Sequence, residues 1–136
     1  MKRIIAPIAL ALLAVPAFAQ DAEKGEKAFN RCKSCHMIVD DAGEAIVKGG
    51  KTGPNLYGVV GRTAGTVEDF RYGDSLVEAG EKGLVWDQEH FVAYTQDPKG
   101  FLQEYLDDNA AKSKMSFRLK DGAEDIFAYL ESVAAE

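Results

Sequence analysis

A chain of 136 residues, 46% of them hydrophobic and carrying a formal charge of −6, has the length for one domain with a modest core. Its acidity argues against nucleic acid as a partner, because neutralising phosphates needs clustered Lys and Arg. The only two cysteines, Cys32 and Cys35, lie too close together to staple a fold, since a bridge between them would close a tiny loop and constrain almost nothing.

In chain order, the first feature is not part of the fold. Lys2 and Arg3 precede an almost unbroken apolar run from Ile4 to Val15, and "AFA" at 17–19 offers small residues for cleavage. This is the pattern of a secretory signal peptide. Cleavage after Ala19 leaves Gln20 as the mature N-terminus and a single domain over 20–136. The rival is an uncleaved anchor, but spanning takes about 20 apolar residues, and this run is shorter and interrupted by Pro7 and Pro16. A soluble, exported protein is expected.

A first helix is predicted from Asp21, a capping residue, to about Lys33, with Ala22, Gly25, Ala28 and Phe29 on one face. From Gly43 to Thr66 the chain holds seven of its 13 glycines and shows neither helical nor strand periodicity. "DSLVEAG" at 74–80 has an Asp start and a Gly stop, the punctuation of a short helix. "WDQEHFVAYTQDP" at 86–98 begins at the capping Asp87 and must end before Pro98. Pro98 then opens another short helix with Phe101, Leu102, Tyr105 and Leu106 on one side. In the last helix Ala123, Ile126, Phe127, Leu130, Val133 and Ala134 follow i, i+3, i+4 spacing. The expected class is all-α. A long aperiodic loop inside a compact domain is at odds with such a fold unless it is functional. Short helices and Gly-rich loops bury little apolar surface alone, but they can wrap a large flat apolar cofactor.

"NRCKSCHMIV" at 30–39 contains both cysteines and one of the two histidines. A structural zinc needs four N or S ligands, usually as two close pairs, and no second pair exists. A thioredoxin-like dithiol needs a lowered thiol pKa at a helix N-terminus, within a βαβ context. Here the helical pattern precedes the cysteines, and no strand pattern flanks them. Cys-x-x-Cys-His is the pattern of covalent c-type haem attachment: Cys32 and Cys35 add to the two vinyl groups, and His36 binds the iron. One motif implies one covalently bound haem c.

The far side of the iron needs a second ligand, and the candidates are His90, Met37, Met115 and a lysine. Met37 follows His36 directly and cannot reach the opposite face. His90 stands beside Glu89 in a helix and reads as a surface residue. Met115, in the polar, non-periodic "AKSKMSF", has no core face to serve, and His/Met is a known axial pair that raises the reduction potential. Met115 is therefore the favoured ligand. Two protein ligands leave no open position for oxygen or substrate, so an electron carrier is expected rather than an enzyme.

The mature chain resembles the class I cytochromes c, closest to the bacterial cytochrome c2 and mitochondrial type. The resemblance is carried by "GEKAFNRCKSCH", "KTGPNLYGVVGR" at 51–62, "YTQDP" at 94–98, "KMSF" at 114–117 and "EDIFAYL" at 124–130. It implies the class I cytochrome c fold, short helices and Gly-rich loops around one haem; the signal peptide leads to the expectation of a periplasmic protein. The resemblance also implies that the Pro54 carbonyl accepts the Nδ1–H of His36, that Arg62, Tyr72 and Trp86 surround a buried haem propionate, and that Tyr94 neighbours the methionine ligand. Gly25, Phe29, Ile126 and Tyr129 match the crossing of the terminal helices. Three departures stand out: Leu76 where Asn is usual, one residue fewer between Phe29 and Cys32, and a longer segment between Pro98 and Met115. The resemblance leaves the 102–112 backbone unplaced.

Cations recur near the segments expected to frame the haem edge: Arg31, Lys33, Lys51, Lys99, Lys112, Lys114 and Arg118. Such lysines are often only a solvated surface, but gathered at one edge they make a docking ring, since complementary charge speeds encounter. The expected function is that of a monomeric, one-electron shuttle that docks transiently on membrane redox complexes. It would be reduced by a cytochrome bc complex and oxidised by a photosynthetic reaction centre or terminal oxidase. The class-level alternative is a haem peroxidase or gas-binding cytochrome with a labile sixth position. The haem domain of a dehydrogenase is less expected, because the length provides for one domain.

Overall fold

The computed structural model describes residues 21–135; the predicted signal peptide over 1–19 lies outside the described residues. Helix α1 is Ala22–Ala28. Asp21, in extended conformation, starts it by accepting from the amides of Glu23 and Lys24 at 3.0 and 3.2 Å, two donors that otherwise have no partner in the first turn. The helix predicted to reach Lys33 is α only to Ala28 and then tightens into a single 3-10 turn, Phe29–Arg31. The amides of Cys32 and Lys33 both turn back to the Phe29 carbonyl, so the motif begins where regular helix stops.

After the motif the chain forms a two-stranded antiparallel ribbon, β1 Ile38–Val39 and β2 Ala45–Val47, with an irregularity after Ile38. Its turn is built by Asp40, whose carboxylate accepts from the amides of Ala42 and Glu44 at 3.0 and 2.9 Å, and by Gly43 at φ 82°. The stretch expected to be aperiodic from Gly43 thus contains a strand, too short for its alternation to be legible. The rest of that stretch is irregular but held. The amides of Gly50, Gly53 and Leu56 donate to the carbonyls of Lys33, Cys35 and Met37 at 2.9, 2.8 and 3.1 Å, laying the loop along the motif.

Helix α2 is Asp74–Glu81, capped by Gly73. Gly80 does not stop it: the residue is buried inside the helix, where a methyl would strike the Ala64 carbonyl. The stop comes at Gly83, with φ 102°, where a Cβ would be strained. Helix α3, Gln88–Gln96, starts at Asp87, whose carboxylate accepts from the His90 amide at 2.8 Å. Asp97 ends α3 and caps α4, Pro98–Tyr105, accepting from the Gly100 amide at 3.1 Å. Pro98 sits in the first turn, where its missing N–H costs nothing. Across the end of α4 the 102–112 segment closes on itself: the Gln103 side-chain Nε2 donates to the Asn109 carbonyl at 3.0 Å, and the Asp108 carboxylate accepts from the Ala110 backbone amide at 2.8 Å.

Helix α5, Ala123–Ala134, buries Ala123, Ile126, Phe127, Tyr129, Leu130 and Val133. Ala134 is exposed, so the predicted apolar face ends one residue early. Helix α1 crosses α5 at Gly25, where a methyl would collide with the Asp125 carbonyl. Phe29 and Tyr129 meet beside the crossing, with ring centroids 5.9 Å apart. Phe29, Ile126 and Leu130 are all at most 2% exposed, and burying a side chain of this size contributes about 1.5–3 kcal/mol. The crossing therefore holds the two ends of the domain together and sets the Cys32–His36 segment beside the core. Among the described residues no helix is long and apolar enough to cross a membrane.

Candidate cofactor cleft

A cavity of about 360 Å³ opens between the motif segment, the glycine-rich loop, α2, α3 and the chain between α4 and α5. Clefts of this order accommodate large organic ligands. Leu56, Val59, Leu76, Phe91, Leu102 and Ile126 form much of its apolar wall. Cys32, Cys35, His36, Pro54, Arg62, Tyr72, Trp86, Tyr94 and Met115 all line it as well. Residues from 32 to 115 in sequence are thereby gathered on one concave surface.

The Cys32–His36 end has defined chemistry. His36 Nδ1 lies 2.8 Å from the Pro54 carbonyl oxygen. A carbonyl can only accept, so Nδ1 carries the proton and Nε2 keeps its lone pair, the form of imidazole that binds a metal. Burial lowers the His36 pKa more than the Pro54 hydrogen bond raises it, which favours that neutral ring. Burial also raises the Cys32 thiol pKa, opposed by Arg31 and reinforced by Cys35. This is the opposite of a redox-activated dithiol.

Arg62, Tyr72 and Trp86 supply donors from three separate segments. The Arg62 guanidinium donates to the Tyr57 and Asn55 carbonyls at 3.1 and 3.3 Å. Among the described residues it has no carboxylate partner, and burial lowers its pKa. Tyr72 accepts from the Val67 amide through its hydroxyl oxygen at 3.1 Å, which leaves its own O–H to donate. A partly buried cation with spare donors and no counter-ion suits an acidic group on whatever fills the cleft. No Asp or Glu is among the described residues that line the cavity.

Around Met115 the structure adds a residue the sequence did not single out. Ser113 Oγ donates to the Met115 carbonyl at 2.8 Å, and its hydroxyl also lies near enough to the Tyr94 phenol to lower that group's pKa. Tyr94 and Ser113 thus flank the Met115 segment in the cavity wall, a proximity without any periodicity to reveal it. Phe117, 45% exposed, also lines the opening.

Other expectations separate cleanly. Neither His90 nor Met37 lines the cavity. The His90 ring is instead engaged with the Val85 carbonyl at 3.1 Å, with Asp87 at 3.0 Å, and edge-on with Phe101 and Tyr105. Of the cations, Arg31, Lys112 and Lys114 line the cavity, whereas Lys33, Lys51, Lys99 and Arg118 do not. Lys33 and Lys51 are brought near each other by the Gly50–Lys33 backbone bond. Arg118 pairs with Asp97 at 3.2 Å and Arg31 with Asp121 at 3.3 Å.

The donor set fits a haem c: two thiols and a neutral imidazole in one short turn, a thioether elsewhere in the same cavity, apolar walls, and an unpaired cation for an acidic substituent. Comparison with known proteins agrees. No protein-family model matches the chain. It is 64% identical over 136 residues to cytochrome c-551 of Roseobacter denitrificans, covering 98% of this chain and 97% of that one. It is 57% identical over 128 residues to cytochrome c2 of Rhodobacter capsulatus, covering 94% and 93%. The solved structure of Rhodobacter capsulatus cytochrome c2 superimposes with a TM-score of 0.81 over 83% of this chain and 97% of that one, at 57% identity. Cytochrome c2 from Rhodobacter sphaeroides gives 0.81 over 85% and 98%, at 59% identity.

Proposed function

The chain belongs to the class I cytochrome c family, in its bacterial cytochrome c2 branch, and on that premise we propose how this haem-containing electron carrier holds its cofactor and meets its partners. It is an electron-transfer protein and not an enzyme, as its relatives are. The finer reading is that of a soluble, monomeric periplasmic shuttle with one covalently bound haem c. It carries single electrons from a cytochrome bc complex to a photosynthetic reaction centre or terminal oxidase.

Cys32 and Cys35 would hold the haem covalently through their sulfurs, and His36 and Met115 would bind its iron. Bound in this way, haem c would supply reversible one-electron chemistry. The Pro54 carbonyl keeps the His36 ring in its Nδ1–H tautomer and at a fixed orientation. Arg62, Tyr72 and Trp86 offset the cost of burying a propionate. The apolar wall excludes water and so disfavours the more highly charged oxidised state, which raises the potential. Lys33, Lys51, Lys99, Lys112 and Lys114 present positive charge to acidic partner surfaces.

One observation carries this reading: His36, hydrogen-bonded for metal binding by Pro54, lines the same apolar cavity as Met115. The experiment is the visible spectrum of the purified protein against Met115→Ala. The thioether–iron band should be present in the wild type and lost in the variant. Rapid carbon monoxide binding by the reduced wild type would overturn the closed, two-ligand reading and favour a gas-binding or peroxidatic protein.

A further inference from the structure

The segment that presents Met115 has no regular structure between α4 and α5, so something other than a helix or ladder must hold it. Between Ala111 and Leu119 its ties to other segments are few. On the α3 side, the Thr95 carbonyl accepts from the Leu119 amide at 2.8 Å, and the Arg118 side chain pairs with Asp97 at 3.2 Å. On the α2 side, Lys114 Nζ donates to the Arg71 carbonyl at 3.1 Å, and the Lys112 amide donates to Ser75 Oγ at 3.0 Å. Of the two ties on the α2 side, the second pins the loop backbone itself, and it does so through a short side chain rooted in the first turn of α2 rather than through a long flexible amine.

We propose that Ser75 is a positioning residue for Met115, its hydroxyl clamping the Lys112 amide to α2 so that the methionine loop stays closed over the cleft. This rests on the reading of Met115 as an axial ligand. A serine that caps a helix stands just before its first residue and bonds the backbone of the first turn. Here Gly73 occupies the cap, and the recorded bond of the Ser75 side chain is to a residue 37 positions away. Alanine is at least as good a helix former as serine, so Ser75→Ala removes the clamp without weakening α2.

The prediction concerns the balance between a closed loop, with thioether on iron, and an open loop whose ligand position an added base can take. A lost hydrogen bond of ordinary net strength shifts such an equilibrium by about three- to tenfold. In the ferric haem protein, Ser75→Ala should therefore raise the apparent affinity for added imidazole about three- to tenfold. Hydrogen exchange at the Lys112 amide should speed up by a similar factor, while the Val77 amide, inside α2, keeps its wild-type rate. Ser75→Thr, which retains the hydroxyl, should restore both. Wild-type imidazole affinity and Lys112 exchange in Ser75→Ala would overturn the clamp. Met115→Ala is run alongside: if it keeps the wild-type spectrum, the ligand reading falls and the proposal with it. If it loses the thioether band while Ser75→Ala stays at wild-type values, only the clamp falls.

Discussion

Gly53 lies so close to His36 that a Cβ on it would stand 2.6 Å from the ring Nδ1. The same stretch of loop supplies the Pro54 carbonyl that accepts from that nitrogen at 2.8 Å, and the Gly53 amide donates to the Cys35 carbonyl at 2.8 Å. The loop is therefore a fitted cover for the imidazole, with room for hydrogen only. Gly53→Ala must push the ring or the loop away, and overpacking of this kind costs about 1–3 kcal/mol. Gly58 is the contrasting case: its φ is 73°, but nothing would meet an added methyl. Gly58→Ala should cost only the backbone strain, about 1 kcal/mol. Denaturant midpoints of the two haem-loaded variants test the difference, with the spectrum of Gly53→Ala reporting a disturbed His36. Equal midpoints would mean that the loop yields freely.

Much of this arrangement was legible because its causes are local. The caps Asp21 and Asp87 act within three residues, the α5 face is a simple period, and Cys32, Cys35 and His36 occupy a single turn. What was not legible depends on contacts between distant segments. Gly80 looks like a helix stop until α2 is packed against Ala64, and nothing near Ser75 in the sequence announces its bond to the Lys112 amide. The strand Ala45–Val47 is held by pairing with Ile38–Val39 rather than by its own pattern. The site was read through one dense motif and a family resemblance. Ser113 lay outside both, since its place between Tyr94 and Met115 comes from a helix and a loop that only the fold brings together.

Tyr94 should make stability depend on alkaline pH. Burial raises its pKa above the usual 10, more than the neighbouring Ser113 hydroxyl lowers it. In the interval above about 10 the unfolded chain has released this proton and the folded chain has not, so the folded state binds more protons and stability falls as pH rises. The contribution is fully present below pH 10 and is lost upward through the folded pKa. One proton corresponds to at most about 1.4 kcal/mol per pH unit. Tyr94→Phe should flatten that part of the profile. Unfolding of both proteins between pH 8 and 11 would measure it, and an unchanged slope would remove Tyr94 from the account.

Arg62 should tune the reduction potential. Its guanidinium is a partly buried cation without a carboxylate partner among the described residues, in the wall of the cleft. The oxidised protein carries one more positive charge than the reduced one, and a fixed cation nearby disfavours it. Replacing Arg62 by Met keeps the bulk and removes the charge, so the oxidised state gains and the potential falls. At an effective dielectric near 20 and a separation of roughly ten ångströms, the interaction amounts to tens of millivolts. A redox titration of Arg62→Met decides the sign. A rise, or no change, would mean that Arg62 serves the Asn55 and Tyr57 carbonyls and not the cofactor.

The docking role of the cations is best tested at Lys112. Its side chain is exposed at the cleft, with no carboxylate partner among the described residues, whereas Arg31 and Arg118 are already paired with Asp121 and Asp97. Lys112→Glu leaves the backbone bond to Ser75 intact, because that bond uses the amide. Lys82→Glu changes the net charge by the same amount, but Lys82 lies outside the cavity wall and pairs with Glu78 at 3.0 Å. If only the overall charge matters, the two variants should slow electron transfer to an acidic redox partner equally. If the cleft mouth is the contact surface, Lys112→Glu should slow association several-fold at low salt and Lys82→Glu much less. The gap should close near 1 M salt, where the screening length is about 3 Å. Stopped-flow transfer rates across a salt series give the answer, and rates insensitive to salt in all three proteins would dismiss electrostatic docking altogether.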